Sequence, residues 1–455
     1  MESSFKHSWT QRVIRPERLL ALGFFVIILL GGLLLSLPVS GVAGQSIGLL
    51  GGLFTATSAV CVTGLSIIDA GTQLSLFGQT VLLILIQISG LGFMTFATLI
   101  MVALGRRVSL RGRMLLRDSL NQTTLGGMVR LSLHFLWLAL IIEAVGALLL
   151  MLRFVPMYGL KNGVWYSCFT AISAFCNAGF DIFGGWRSLT HLYEDPAVLL
   201  VICVLIVLGG LGFTVILECV RQRMRFRKLS LHARLVLSLT GALILSGMLL
   251  TLLTEFNSTA FQKMTWDVKL LNSLFQAVTL RTAGFASIDQ ASLSDAGKLL
   301  GCVYMFIGAS PASTGGGIKT TTAFMLVLLV ISVVRNRAHL HLWGREIAVD
   351  TARRSMAIAF IGMLVVLGCS VAISILEQNS GIPMIDLLFE VVSAFSTTGL
   401  SAANTPLLRP ASQCLLMPLM YLGRVGPLTL AFALASRSTA NIARIRYPEE
   451  KIMIG

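Results

Sequence analysis

The chain has 455 residues, 55% of them hydrophobic and 12% charged, with a mean hydropathy of +0.85 and a net charge of +15. A soluble globular domain carries about 25% charged residues, so this supply is too small to cover a water-soluble body of this length. Disorder, collagen, a disulfide-stapled secreted scaffold and an ordinary cytosolic enzyme are disfavoured, and an all-α integral membrane protein is predicted.

About 20 apolar residues cross a bilayer as a helix. Runs of that size lie near 19–37, 80–104, 131–152, 197–219, 235–254, 298–331, 355–376 and 413–436. Eight spans put both termini on the same side. The first run is too long for a secretory leader and has no small-residue cleavage site behind it. With the termini inside, the inner segments 1–18, 105–130, 220–234, 332–354 and 437–455 hold 25 of the 35 Lys and Arg. Eleven of the 20 acidic residues fall in the outer connections. Topology therefore accounts for the basic surplus, and nucleic-acid binding loses its motivation. The expected location is a cell membrane, crossed several times, with both termini cytoplasmic.

Each outer connection holds a stretch of about a dozen moderately apolar residues, Ile47–Val60, Gly163–Cys176, Lys269–Leu280 and Pro383–Ser396. These are too short to span and long enough for a re-entrant half-helix. The chain thus reads as helix, half-helix, helix, four times over. The units are 19–104, 105–219, 220–334 and 335–436, between an N-terminal segment 1–18 and a tail 437–455. The eight cysteines stand singly, in no ligand spacing, and read as small core residues.

The repeat carries a motif. FTATSAVCVTGLSIID (54–69), FTAISAFCNAGFDIF (169–183), LFQAVTLRTAGFASID (274–289) and LFEVVSAFSTTGLSAAN (388–404) align on Gly64, Gly179, Gly284 and Gly399. The glycines are separated by 115, 105 and 115 residues. One such glycine could serve helix packing or a hairpin turn; four in register favour a common task. Unpaired carbonyls at membrane depth must line an aqueous path or bind something. Glycine lets successive carbonyls face one way, because it accepts positive φ without a Cβ clash. Four such strands around one axis would replace the hydration shell of a monovalent cation. The half-helix C-termini add partial negative charge there. Asp69, Asp181 and Asp289, just beyond the glycines, would concentrate cations at the outer mouth.

This layout, with a broken sixth span, GASPASTGGGIKT and YLGRVGPLTL, resembles the Trk/Ktr/HKT superfamily of potassium transporters over nearly the whole chain. It is most similar to the membrane subunits of bacterial Ktr systems. The resemblance implies four pseudo-symmetric M1–P–M2 repeats around one pore in a bacterial inner membrane. It maps a K+ filter to Val62-Thr63-Gly64, Asn177-Ala178-Gly179, Thr282-Ala283-Gly284 and Thr397-Thr398-Gly399. A tetrameric potassium channel uses TVGYG four times; Ser66, Asp181, Ala286 and Ser401 occupy the second glycine position here. Fewer ordered ion sites and weaker discrimination against sodium are expected.

The sixth run is interrupted by Gly308-Ala309-Ser310-Pro311-Ala312-Ser313-Thr314-Gly315-Gly316-Gly317. Pro311 removes a donor and clashes with the preceding turn, and each glycine costs a helix roughly 1 kcal/mol. Below the filter such a loop suits a gate; a static kink is the competing reading. It is no P-loop, since Ile318 precedes Lys319 and Ser313 stands where the first glycine should be. Lys319 and Arg424 lie in apolar runs, where a charge points to function. Arg424 is assigned to the closed gate; Lys319 fits the gate and a carbonyl cap equally. Glu143 is expected to be a paired structural carboxylate.

The basic segments RRVSLRGRMLLR (106–117) and RQRMRFRKLS (221–230) are topology signals first, with docking of an acidic partner or anionic lipid as a second use. The resemblance supplies a homodimer, a KtrA-like RCK regulatory ring carrying the nucleotide, and Na+ as activator; K+ is cargo, and no covalent cofactor is expected. An alternating-access cation symporter is the alternative. It would need a pair of broken helices in an inverted repeat, whereas this chain reads as having one broken span. An intramembrane enzyme is disfavoured, because HExxH, G-x-S-x-G and paired catalytic carboxylates do not occur.

Overall fold

The computed structural model of the chain describes residues 16–92, 128–262, 264–336 and 340–426. The inner segment 106–117, the ends of the predicted second and eighth spans, the tail 437–455 and residues 1–15 lie outside the described residues.

The outer surface is apolar and the interior unusually polar. Leu22, Phe25, Leu29 and Leu33 on α1 (Pro16–Ser36) and Phe360, Met363 and Leu367 on α11 (Val349–Leu376) are exposed, while Thr55, Ser58, Ser173 and Ser393 are buried. A lipid solvent makes this inversion favourable, since apolar side chains lose nothing by facing acyl tails. Among the described residues three helices are long and apolar enough to cross a membrane, and a bent pair adds a fourth. They are α4 (Met128–Phe175), α7 (Leu231–Glu255) and α11; the pair is α5 (Pro196–Leu211) with α6 (Phe213–Arg221).

Four buried half-helices lie inside this wall. They are α2 (Gly48–Cys61), the second arm of α4, α8 (Trp266–Thr279) and α12 (Met384–Ser396). Within α4, Gly159 at φ 78° and ψ 166° breaks the rod and separates the predicted third span from the second half-helix. Gly163 is the second requirement there: a side chain on it would meet the Phe154 carbonyl oxygen at 2.7 Å, so the arms fold back against each other. The remaining helices are α3 (Leu76–Gly90), α9 (Asp295–Ile307), α10 (Thr320–Val334) and α13 (Pro410–Val425).

Packing runs around a circle. The first helix of a repeat packs on its own half-helix, as α1 does on α2 and α7 on α8. The last helix packs on the half-helix of the next repeat: α3 on α4, α5 on α8, α9 on α12, and α13 back on α2. The chain therefore closes on itself around one axis.

One expectation needs correction. The sixth run is not alone in breaking. α5 and α6 meet at a bend of 98° at Gly212, and Gly92, Gly308 and Gly426 lie just past the ends of α3, α9 and α13. All four glycines have positive φ, 83°, 93°, 63° and 92° in chain order. Hydropathy continues through such a glycine, so composition hides the turn. The all-α fold carries one local addition among the described residues, a small hairpin in the segment 332–354. There β1 (Leu340–Leu342) pairs antiparallel with β2 (Arg345–Ile347), Leu342 opposite Arg345. Trp343 and Gly344, both at positive φ, make the two-residue turn.

Candidate functional site

Each half-helix ends in the same backbone figure. Val62, Asn177, Thr282 and Thr397 are left-handed, at φ 57°, 57°, 65° and 53°, and two residues later Gly64, Gly179, Gly284 and Gly399 again have positive φ. For a β-branched Val or Thr this region is a genuine outlier that the surroundings must enforce. Side-chain hydroxyls do part of this. Ser58 Oγ accepts from Gly64 N and Ser393 Oγ from Gly399 N, both at 3.0 Å. Ser173 Oγ donates to Phe180 O at 2.7 Å and Thr279 Oγ1 to Phe285 O at 2.6 Å. Sequence reasoning does not single out these four positioning hydroxyls, although three of them recur six residues before the motif glycine.

The four loops meet in a ring. A side chain on Gly64 would strike the carbonyl oxygen of Ala178 at 2.6 Å, one on Gly179 that of Ala283 at 2.8 Å, and one on Gly284 that of Thr398 at 2.5 Å. One on Gly399 would run into the carbonyl oxygen of Thr63. The order is 1→2→3→4→1, so the residues preceding the glycines form one closed set of carbonyls. Outside the ring lies a cavity of about 350 Å3 that all four glycines line, with Asp69, Asp181 and Asp289 in its wall. These carboxylates are already engaged. Asp69 accepts from Gly71 N and Gly185 N, Asp181 from Phe183 N, and Asp289 from Ala291 N. Burial raises the Asp181 carboxyl to about 6; the Phe183 N–H opposes the rise, and the charge of Asp69 adds to it.

Beyond the glycines the figure ends. Ser66, Asp181, Ala286 and Ser401 all lack positive φ. Ser66 Oγ turns to Ile68 O, Ser401 Oγ to Glu390, and Ala286 is tied by its own N–H to Ser188 Oγ.

On the inner side, residues 308–319 press against the ring. Side chains on Gly315 and Gly316 would collide with Thr282 Oγ1 and Thr397 Oγ1, two buried hydroxyls that have no hydrogen-bond partner. Ser310 N donates to Gly210 O at 3.2 Å, Thr314 N to Gly209 O at 3.3 Å, and Phe213 N to Ala312 O at 3.3 Å. Lys319 Nζ donates to Gly315 O at 2.6 Å. Arg424 reaches across repeats, with Nη1 on Thr314 O and Nη2 on Ser89 O. Both cations thus hold loop carbonyls, and Arg424 adds the Ser89 carbonyl, which also accepts from Gly92 N. Glu143 has its partner in Gln87, whose amide donates to both carboxylate oxygens at 3.2 and 3.1 Å beside Cys176. Cys61 and Cys176 are buried near the ring, whereas Cys414 is exposed, against the core reading of all eight.

The family model described as TrkH, cation transport protein, matches residues 27–442. The Ktr system potassium uptake protein B of Bacillus subtilis is 41% identical over 443 residues, 97% of each chain. The potassium/sodium uptake protein NtpJ of Enterococcus hirae is 37% identical over 446 residues, 97% of this chain and 98% of that one. Among solved structures, the potassium transporter TrkH of Vibrio parahaemolyticus superposes with a TM-score of 0.72 at 17% identity, covering 94% of this chain and 86% of that one. The relatives are transporters, and this chain is an integral membrane transport protein rather than an enzyme. It belongs to the TrkH family of cation transport proteins.

Proposed function

We propose that this chain takes up potassium through a single pore along the axis of its four repeats. The observation that carries the reading is the closed cycle of glycines and carbonyls. Four carbonyl oxygens held in one ring at membrane depth can replace an ion's water, and the close approach of each glycine to the next repeat's carbonyl accounts for its missing side chain. Eight spans and four re-entrant half-helices, with both termini cytoplasmic, complete the picture. The driving force is the membrane potential, about 2.3 kcal/mol per charge per 100 mV.

The loop 308–317 acts as the gate. It lies under the ring, is held by Arg424 and Lys319, and contains the flexible glycines needed to move aside. The names of the Bacillus and Enterococcus relatives favour K+ as the cargo and a dependence on Na+. The word "system" in the former suits a separate RCK-type subunit beneath a homodimer. Alternating access gains little from the additional helix breaks. The breaks at Gly212 and Gly308 fall at one position of two successive repeats rather than as an inverted pair.

The test is rubidium uptake by liposomes holding the purified protein, with sodium and a regulatory subunit added or withheld. Uptake driven by a negative interior and competed by K+ supports the reading. An absence of K+-competed flux in every condition sinks it.

A further inference from the structure

The joint between α5 and α6 carries a second feature that ion passage does not use. α5 has 16 residues, which at 1.5 Å per residue gives about 24 Å, short of a hydrocarbon core of about 30 Å. The 98° bend at Gly212 turns α6 nearly perpendicular to α5, and with this end of the chain placed inward, as proposed above, α6 runs along the membrane plane near the inner face. Its buried side, Val215, Ile216 and Cys219, packs on Leu229 in the link and on Ala233 and Val236 at the start of α7.

The link from α6 to α7 is exposed up to Leu229, which is buried. Val220 through Lys228 are nine consecutive exposed residues in which Arg221, Arg223, Arg225 and Arg227 alternate with Gln222, Met224 and Phe226. Met224 is 72% and Phe226 47% exposed. Glu218 is the one acidic residue between Phe213 and Arg234, and it is committed to the N–H and hydroxyl of Ser230. Among the described residues none of the four arginines or Lys228 has an ion-pair partner. A positive-inside signal needs the charges alone. Apolar side chains set between unpaired arginines, next to a helix lying in the membrane plane, fit a headgroup layer: phosphates take the guanidinium groups, and Met224 and Phe226 enter the acyl boundary.

We propose that residues 220–228 form a binding surface for anionic lipid headgroups, and that this surface restrains the loop under the ring. The connection is short. Phe213, the first residue of α6, donates its N–H to Ala312 O, and Gly209 and Gly210 at the end of α5 accept from Thr314 and Ser310. Anionic lipid that holds α6 to the membrane also holds these bonds, and so keeps the loop seated. The proposal rests on the inward placement of this end of the chain.

The test uses the full chain and a variant, R223Q/R225Q/R227Q/K228Q, altered only at exposed side chains. Native mass spectrometry counts phosphatidylglycerol retained against phosphatidylcholine; retention should fall by roughly tenfold or more in the variant. In liposomes, phosphatidylglycerol should lower basal rubidium uptake by the parent chain and leave the variant unchanged. Equal retention by both proteins overturns the lipid surface, including the outcome in which the segment binds only an acidic protein. Retention lost without any change in the lipid dependence of uptake overturns the restraint. Retention is measured without transport, so failure of the pore reading would be seen separately, as absent uptake in both proteins.

Discussion

Gly399 faces the carbonyl oxygen of Thr63 on the side where a side chain would stand, joining the last repeat to the first and closing the ring. At φ 92° Gly399 also sits where L side chains are strained. Gly399→Ser therefore combines a left-handed strain of about 1–3 kcal/mol with a direct collision, and the Thr63 carbonyl must swing away. K+/Na+ discrimination should drop by about tenfold, equivalent to roughly 1.4 kcal/mol, in rubidium uptake competed by sodium. Gly284→Ser, aimed at Thr398 O, should act in the same direction. Unchanged discrimination in both variants would remove the ring from the selectivity mechanism.

The ring is legible in the sequence because a motif repeated four times at near-equal spacing survives any error in a single assignment. Its supports are less visible. Ser58, Ser173 and Ser393 look like ordinary small residues of an apolar half-helix, and only their common offset from the glycine marks them. The break at Gly212 and the helix ends before Gly92 and Gly426 escape a hydropathy reading because hydropathy measures composition and not direction. The pairs Gly90/Gly92, Gly210/Gly212 and Gly423/Gly426 carry the signal at repeat spacing. The partner of Glu143 is hidden too, since Gln87 belongs to a different repeat and meets it only through packing of α3 on α4.

Arg424 ties three repeats together through two carbonyls, Thr314 O in the loop and Ser89 O after the first ring segment. Arg424→Ala removes two charge-assisted hydrogen bonds, each worth about 1.5–3 kcal/mol, and releases the loop. Basal rubidium uptake without a regulatory subunit should rise by about tenfold, the shift that roughly 1.4 kcal/mol produces. Arg424→Lys should fall between, because an ammonium lacks the fork that spans both oxygens. Wild-type uptake in the alanine variant would leave Arg424 as a static cap.

Lys298 at the start of α9 pairs with Asp386 at the start of α12 at 2.6 Å, with side chains only 7% and 10% exposed. Removing one partner strands a buried charge at a cost of about 3–5 kcal/mol. Asp386→Leu alone should lower the melting temperature of the detergent-solubilised protein markedly. Lys298→Met with Asp386→Leu should recover most of the loss, because two matched apolar groups strand nothing. A double variant no more stable than the worse single one would argue against the pair as a unit.

With the vestibule on the outer side, as proposed, Asp181 should make the mouth sensitive to external pH. Burial lifts its carboxyl to about 6, above the ordinary aspartate value of 3.8, and the neighbouring charge of Asp69 lifts it further against the pull of the Phe183 N–H. Above about 6 the group is an anion in the wall of the vestibule, and below it the group is neutral. Asp289 and Asp69 share that wall, with Arg187 as the opposing cation. Loss of one negative charge lowers the local cation concentration, so uptake at sub-saturating K+ should decline as external pH falls through about 6, by up to severalfold at low ionic strength. The decline should weaken in salt, because screening shortens the reach of the charge. Asp181→Asn should show the low-pH rate throughout and no step near 6. If the variant keeps the step, the titrating group lies elsewhere, and the vestibule charge does not set the entry rate.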